Sequence, residues 1–171
     1  MDFQGLSGAL RTVARRVRRK VRLAKIRLGG FAAMEQSNSY SAKQNRIVLV
    51  VENEPAIREF LRMVLESMGL IVLEANNGEA ALAITRSFTG PIDLVISDVR
   101  MPKMAGTEMV YHLRGKRPGI KVLLISGHSI ESVPRDLTKG FFQKPFSPAK
   151  LRQKVKTMLA RDPTMSVVEE L

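Results

Sequence analysis

Residues 92–106 read IDLVISDVRMPKMAG. Ile92, Leu94, Val95 and Ile96 form a short apolar run rich in β-branched residues, with Gly90-Pro91 in front. Such a run suits a strand covered on both faces. It stops at Ser97-Asp98. A loop with Pro102 and Gly106 follows, and Met109, Val110 and Leu113 then recur at helical spacing. An acid at the C-terminal end of a buried strand lies where open α/β sheets place their ligands. On this stretch alone, Asp98 could equally be a strand terminator that bonds its own turn.

The same alternation extends outward on both sides. Residues 47–51 (IVLVV) predict an uninterrupted strand, and Pro55 stands where a first helical turn tolerates it. Ile57, Phe60, Leu61, Val64, Leu65 and Met68 supply a helical apolar face that Gly69 ends. A strand at 71–73 follows, then a turn at Asn77-Gly78 and a helix through Ala81, Ile84 and Phe88. Beyond the central stretch, a helix is expected over 107–114, with Arg117-Pro118-Gly119 as punctuation and a strand at 120–125. Residues 129–137 are weakly patterned and predict one or two helical turns. A brief strand is expected at 140–143. Ser147 caps a last helix with Pro148 at its first position and Leu151, Val155, Met158 and Leu159 on its face.

Five strands alternating with five helices predict an α/β fold whose parallel sheet is covered on both faces. The expected form is a doubly wound (βα)5, flavodoxin-like three-layer sandwich with strand order 2-1-3-4-5. Its switch point lies between the first and third strands. Glu52-Asn53 and Asp98 would then meet across one crevice, which moves Asp98 away from the role of mere terminator.

Composition narrows the function classes. The 171-residue chain has no Cys, so a disulfide framework and a thiolate metal site are excluded. That fits a reducing cytoplasm. His112 and His128 are the only imidazoles, which argues against a multi-histidine metal site. No apolar run approaches the roughly 18 residues of a membrane span.

The net charge of +12 is uneven: residues 1–45 hold ten Lys/Arg against two Asp/Glu, and residues 46–171 hold eighteen against fourteen. The basic character thus belongs mainly to an arm, residues 1–33, followed by a polar linker at 34–45. In the arm Leu6, Leu10, Val13, Val17, Val21, Ala24 and Leu28 would form one helical stripe. Its basic segment, residues 11–27, could contact nucleic-acid phosphates or an anionic membrane, or be solvated and disordered. The arm is expected to add nothing to the fold, and Met34 offers an alternative start. Residues 46–160 form the expected domain and 161–171 a frayed tail.

Two further residues reach the same edge of the sheet: Ser126 ends the fourth strand and Lys144 the fifth. Oxygen ligands of this kind suit Mg²⁺, which keeps several waters and takes the rest from one or two carboxylates and a phosphate. Lysine offers a compact charge to a phosphate oxygen, and serine can donate to another. The set is suited to holding a phosphoryl group on Asp98.

IVLVVENEPAIREFL, IDLVISDVRMPKMAG, KVLLISGHS and FFQKPFSPAKL, in that order, resemble the receiver domain of two-component response regulators. The resemblance covers about two-thirds of the chain, from Arg46 to about Ala160. It implies that Asp98 is the phosphoacceptor. Glu52, Asn53, Asp98 and the backbone carbonyl of Arg100 would hold Mg²⁺. Ser126 would be the switch hydroxyl, Lys144 the phosphate-binding lysine, Pro145 a cis proline and Phe141 the aromatic that turns inward. Gly127 would leave space near the phosphate.

The chain departs from the family pattern at several points. Asn53 stands where the family places an acid, and Ala105 replaces a frequent acid before Gly106. The interval from Ser126 to Lys144 is short at 18 residues, similar to receivers at the C-terminus of hybrid sensor kinases. The resemblance implies a phosphorelay protein, regulatory rather than enzymatic. It would be a single-domain regulator that takes its phosphoryl group from a histidine kinase or phosphotransfer protein and signals through a downstream partner. The alternatives are a docking module that is never phosphorylated, because of Asn53, and nucleic-acid binding through the arm.

Overall fold

The computed structural model describes residues 46–88 and 90–160. The arm, linker and tail inferred from sequence lie outside the described residues. The elements run β1 (Ile47–Val51), α1 (Pro55–Ser67), β2 (Ile71–Ala75), α2 (Gly78–Ser87), β3 (Leu94–Asp98), α3 (Gly106–Lys116) and β4 (Val122–Ser126). Two 3-10 turns (Ile130–Ser132 and Arg135–Gly140), β5 (Phe141–Gln143) and α4 (Pro148–Ala160) complete them. All strand pairs are parallel and the order is β2-β1-β3-β4-β5.

Side chains alternate between the two faces of a strand, and here both faces are covered. Leu49, Val51, Leu73, Val95 and Leu124 pack with Ala81 and Ile84 of α2 and Met109, Val110 and Leu113 of α3. Val48, Val50, Val72, Leu94, Ile96, Leu123 and Ile125 pack with Leu61, Val64 and Leu65 of α1 and Leu151, Val155 and Leu159 of α4. This explains the unbroken apolar run of β1, all five residues of which are buried.

Helix ends follow from local chemistry. Pro55 opens α1, where its missing N–H costs nothing. Gly69 adopts φ +78° just past the end of that helix, a conformation glycine reaches without strain. Ser147 Oγ accepts the Lys150 N–H at 3.3 Å, capping α4.

Several sequence expectations need correction. Asn77-Gly78 is a helix start: Asn77 Oδ1 accepts the Ala80 N–H at 2.8 Å. β3 begins at Leu94, two residues later than its apolar run. Asp93 takes over before the ladder, its carboxylate accepting the Ile47 N–H at 2.7 Å while its own N–H donates to the Ile47 carbonyl at 2.8 Å. β4 likewise starts at Val122, because the Ile120 N–H turns back to the Arg117 carbonyl at 3.0 Å.

Between β4 and β5, the one or two helical turns expected over 129–137 are two 3-10 turns, which stand where the alternation has its fourth helix and leave four α-helices among the described residues. Pro134 separates the turns, and its carbonyl accepts the Leu137 N–H at 2.9 Å. Val133 and Leu137 are the buried anchors of this segment.

Candidate functional site

The C-terminal ends of β1, β3, β4 and β5 open on one edge of the sheet, at the reversal of strand order between β1 and β3. Glu52 follows β1 directly and is only 1% exposed. Its N–H continues the ladder to the Ala75 carbonyl at 3.1 Å, and its Oε1 accepts the Glu54 N–H at 3.1 Å. Asp98 is the last residue of β3. Lys144 follows β5, and its N–H donates to the Ser126 carbonyl at 2.7 Å. The peptide between Lys144 and Pro145 is cis.

The three charges meet. Lys144 Nζ donates to Glu52 Oε2 at 3.0 Å and to Asp98 Oδ1 at 3.1 Å. Burial acts to lower the lysine pKa. The hydrogen bond and charge of Glu52, with the charge and hydrogen bond of Asp98, outweigh it and hold the ammonium above its ordinary value. Two carboxylates from separate strands therefore share one cation at the crevice floor.

The other sequence-predicted residues surround this triad without joining it. Ser126, buried at the end of β4, accepts the His128 N–H on its Oγ at 3.0 Å. It follows Ile125, the register partner of Asp98. Asn53 is half-buried, and its backbone carbonyl accepts from Arg58 Nη1 at 3.4 Å. Among the described residues no hydrogen bond ties its side chain to the triad. The exposed Arg100 turns its guanidinium to His128 Nε2. Phe141 pairs with Leu124 in the sheet and packs, half-buried, on the core beneath α2 and α3. Gly127 has open space where a side chain would begin.

The loop from β3 to α3 is held tightly. The Gly106 N–H returns to the Val99 carbonyl at 2.9 Å, and a Cβ on Gly106 would lie 2.0 Å from the Asp98 carbonyl oxygen. Only glycine permits that approach. Ser97 Oγ donates to the same carbonyl at 2.9 Å. Lys103 takes φ 69° in this loop, beside a bond of 2.9 Å from the Met104 N–H to the Pro102 carbonyl.

Sequence reasoning missed Arg58. On the first turn of α1, its Nη1 donates to the Glu52 carbonyl at 2.7 Å as well as to that of Asn53. Its place six residues after Glu52 and one turn into a helix that Pro55 opens was the available signal.

Among the described residues no group of three or more His, Asp or Glu converges as a ready metal cage. Glu52 and Asp98, two carboxylates joined through the Lys144 ammonium, still match the one or two carboxylates Mg²⁺ takes while keeping several waters.

A doubly wound α/β domain with an acid–lysine cluster at its switch point defines the class. Residues 48–156 match the response regulator receiver domain, and the chain belongs to that family, a module of two-component signalling. It is 40% identical over 118 residues to the sensor kinase CckA of Brucella abortus, covering 67% of this chain and 12% of that kinase. Other curated relatives are matched over about half their length. Among solved structures, the response regulator TrrA of Thermotoga maritima in complex with Mg²⁺ and BeF is 36% identical with TM-score 0.57, over 67% of this chain and 99% of that one. The receiver domain of the hybrid histidine kinase CckA is 37% identical with TM-score 0.57, over 66% of this chain and 98% of that one.

Proposed function

We propose that residues 46–160 act as a phosphoacceptor in which Asp98 receives a phosphoryl group from a phosphohistidine on a kinase or phosphotransfer protein. The observation that carries this reading is the Lys144 ammonium bridging Asp98 Oδ1 and Glu52 Oε2 at 3.1 and 3.0 Å. A carboxylate nucleophile with a fixed cation beside it suits phosphoryl transfer, where positioning and charge neutralisation supply most of the catalysis. An Asp98 carboxylate oxygen forms the new bond to phosphorus as the P–N bond to the donor imidazole breaks in line. The imidazole leaves with the electron pair and takes up a proton.

Lys144 exchanges one carboxylate contact for a phosphoryl oxygen, and the Ser126 hydroxyl donates to another. Glu52, Asp98, the Asn53 amide oxygen and the Arg100 backbone carbonyl would hold Mg²⁺, which when bound neutralises charge on the phosphoryl oxygens. Phe141 fills the space that Ser126 vacates, shifting the β4–β5 face between two populations that a downstream partner reads. The lack of cysteine is compatible with the cytoplasm as the place of exchange.

The test is incubation with acetyl phosphate and Mg²⁺, with the modified residue located by mass spectrometry. A base-labile adduct on Asp98, lost in Asp98→Asn, is expected. Undiminished labelling of that variant would assign the acceptor elsewhere. No labelling of the parent protein by acetyl phosphate or by any phosphohistidine donor would leave a docking module that is never phosphorylated.

A further inference from the structure

We propose that Arg58 is a positioning residue for the metal corner of the site: it holds Asn53 at the crevice and so sets how well the protein takes Mg²⁺. This rests on the reading of Glu52, Asn53 and Asp98 as the Mg²⁺ corner.

The two neighbours at the end of β1 are held very unequally. Every polar group of Glu52 is engaged. Its N–H bonds the Ala75 carbonyl at 3.1 Å, and its carbonyl accepts from Arg58 at 2.7 Å. Its two carboxylate oxygens accept from the Glu54 N–H at 3.1 Å and Lys144 Nζ at 3.0 Å. Asn53 has one hydrogen bond among the described residues, from its carbonyl to Arg58 Nη1 at 3.4 Å. One guanidinium nitrogen therefore spans both carbonyls and ties the loosely held residue to the firmly held one.

Arg58 is itself held at both ends. Its N–H bonds the Glu54 carbonyl at 3.0 Å in the first turn of α1, and its Nε lies 3.9 Å from Glu74 Oε1 on β2. The ion pair with Glu74 is long and part-exposed, so it adds little stability by itself. Its geometry matters more: one edge of the guanidinium faces Glu74 through Nε while Nη1 faces the two carbonyls. A planar fork does this and a lysine ammonium, with no second arm toward Glu74, does so only in part.

Two effects of Arg58 on a bound cation oppose each other. Its positive charge disfavours a second cation nearby, and its hydrogen bonds fix a ligand's backbone. Glu74 offsets the charge and solvent screens what remains. Outer partners that orient a metal ligand typically change affinity by roughly 10–100-fold. Position therefore outweighs repulsion. Because Arg58 works through the backbone of Asn53, the lower end of that range applies.

The experiment titrates the full chain with Mg²⁺ and follows the amide NMR shifts of Asn53 and Glu54. Hydrogen exchange of the Glu54 amide is measured in the metal-free protein. Arg58→Ala should weaken Mg²⁺ binding roughly tenfold and speed Glu54 exchange, with Arg58→Lys recovering part of both. Arg62→Ala is the control, since Arg62, on the same helix, pairs with Glu59 and Glu66 and should change neither. Unchanged or tighter Mg²⁺ binding in Arg58→Ala overturns the proposal. Should that variant fail to fold, wild-type Glu54 exchange and Mg²⁺ affinity in Arg58→Lys overturn it instead. A parent protein whose Asn53 and Glu54 shifts ignore Mg²⁺ altogether removes the metal reading itself, a result distinct from an insensitive Arg58 variant.

Discussion

Lys144 follows the last strand and Glu52 the first, yet the lysine Nζ lies 3.0 Å from a carboxylate that is only 1% exposed. Removing one partner of a buried pair strands the other charge, at about 3–5 kcal/mol when burial is complete. Lys144 keeps 20% of its side chain exposed, so the penalty is smaller. Lys144→Met should cost about 2–3 kcal/mol in urea unfolding without metal, and adding Glu52→Gln should restore most of it. A double variant whose loss equals the sum of the losses in Lys144→Met and Glu52→Gln alone would mean that the two residues do not interact. The sign with pH follows from the raised lysine pKa. The lysine's contribution is complete below the ordinary lysine value and is lost as pH climbs through the higher folded one.

The sheet was legible because its strands are short apolar runs with abrupt ends. IVLVV needs both faces covered, and the strand order then brings Glu52 and Asp98 to one crevice. Lys144 and Ser126 were legible as strand-end residues of the family motifs. What the sequence left hidden depends on side-chain reach. Asp93 caps β1 through its carboxylate, which delays the start of β3. Arg58 reaches back from α1 to two carbonyls, which apolar periodicity does not report. Asn-Gly serves both turns and helix starts, and the bond from the Ala80 N–H to Asn77 Oδ1 decides between them.

Gly106 holds the loop against the acceptor. A methyl group there would lie 2.0 Å from the Asp98 carbonyl and 2.8 Å from Ser97 Oγ, so the backbone of Asp98 must move. Gly106→Ala should lower stability by roughly 1–3 kcal/mol, the usual range for overpacking. It should also slow Asp98 labelling by acetyl phosphate. A wild-type urea midpoint together with wild-type labelling would show that the loop yields without disturbing Asp98.

Tyr111 ties α3 to the second 3-10 turn: its hydroxyl donates to Asp136 Oδ1 at 2.9 Å. That bond, with slight burial and the Asp136 charge, raises the phenol pKa, and Arg114 pulls weakly the other way. The neutral phenol is the form the folded state favours. The tie is therefore intact below the ordinary phenol value and is lost as pH rises through the higher folded value. The chain has two Tyr and no Trp, so phenolate absorbance of a Tyr40→Phe variant reports Tyr111 alone. Its midpoint should lie above that of a free phenol and fall in Asp136→Asn. An identical midpoint in both proteins would remove Asp136 as the cause.

Asn53 offers an amide oxygen where the family pattern has an acid. A hard cation gains more from a charged oxygen than from an amide, so Asn53→Asp should tighten Mg²⁺ binding. The same change adds a third carboxylate to a crevice that already holds Glu52 and Asp98 around a single ammonium. Like charges at close range disfavour one another, so the metal-free variant should be less stable. Both effects widen the gap between the free and bound states. Asp98 labelling at low Mg²⁺ should therefore speed up, while at saturating Mg²⁺ the two proteins should converge. A Mg²⁺ titration of stability separates the terms: the variant starts with the lower urea midpoint and gains more as metal is added. Asp98→Asn in both backgrounds controls for binding that does not involve the acceptor. Equal Mg²⁺ affinities would mean that residue 53 faces away from the metal, and the corner would then be built by Glu52 and Asp98 with backbone carbonyls alone.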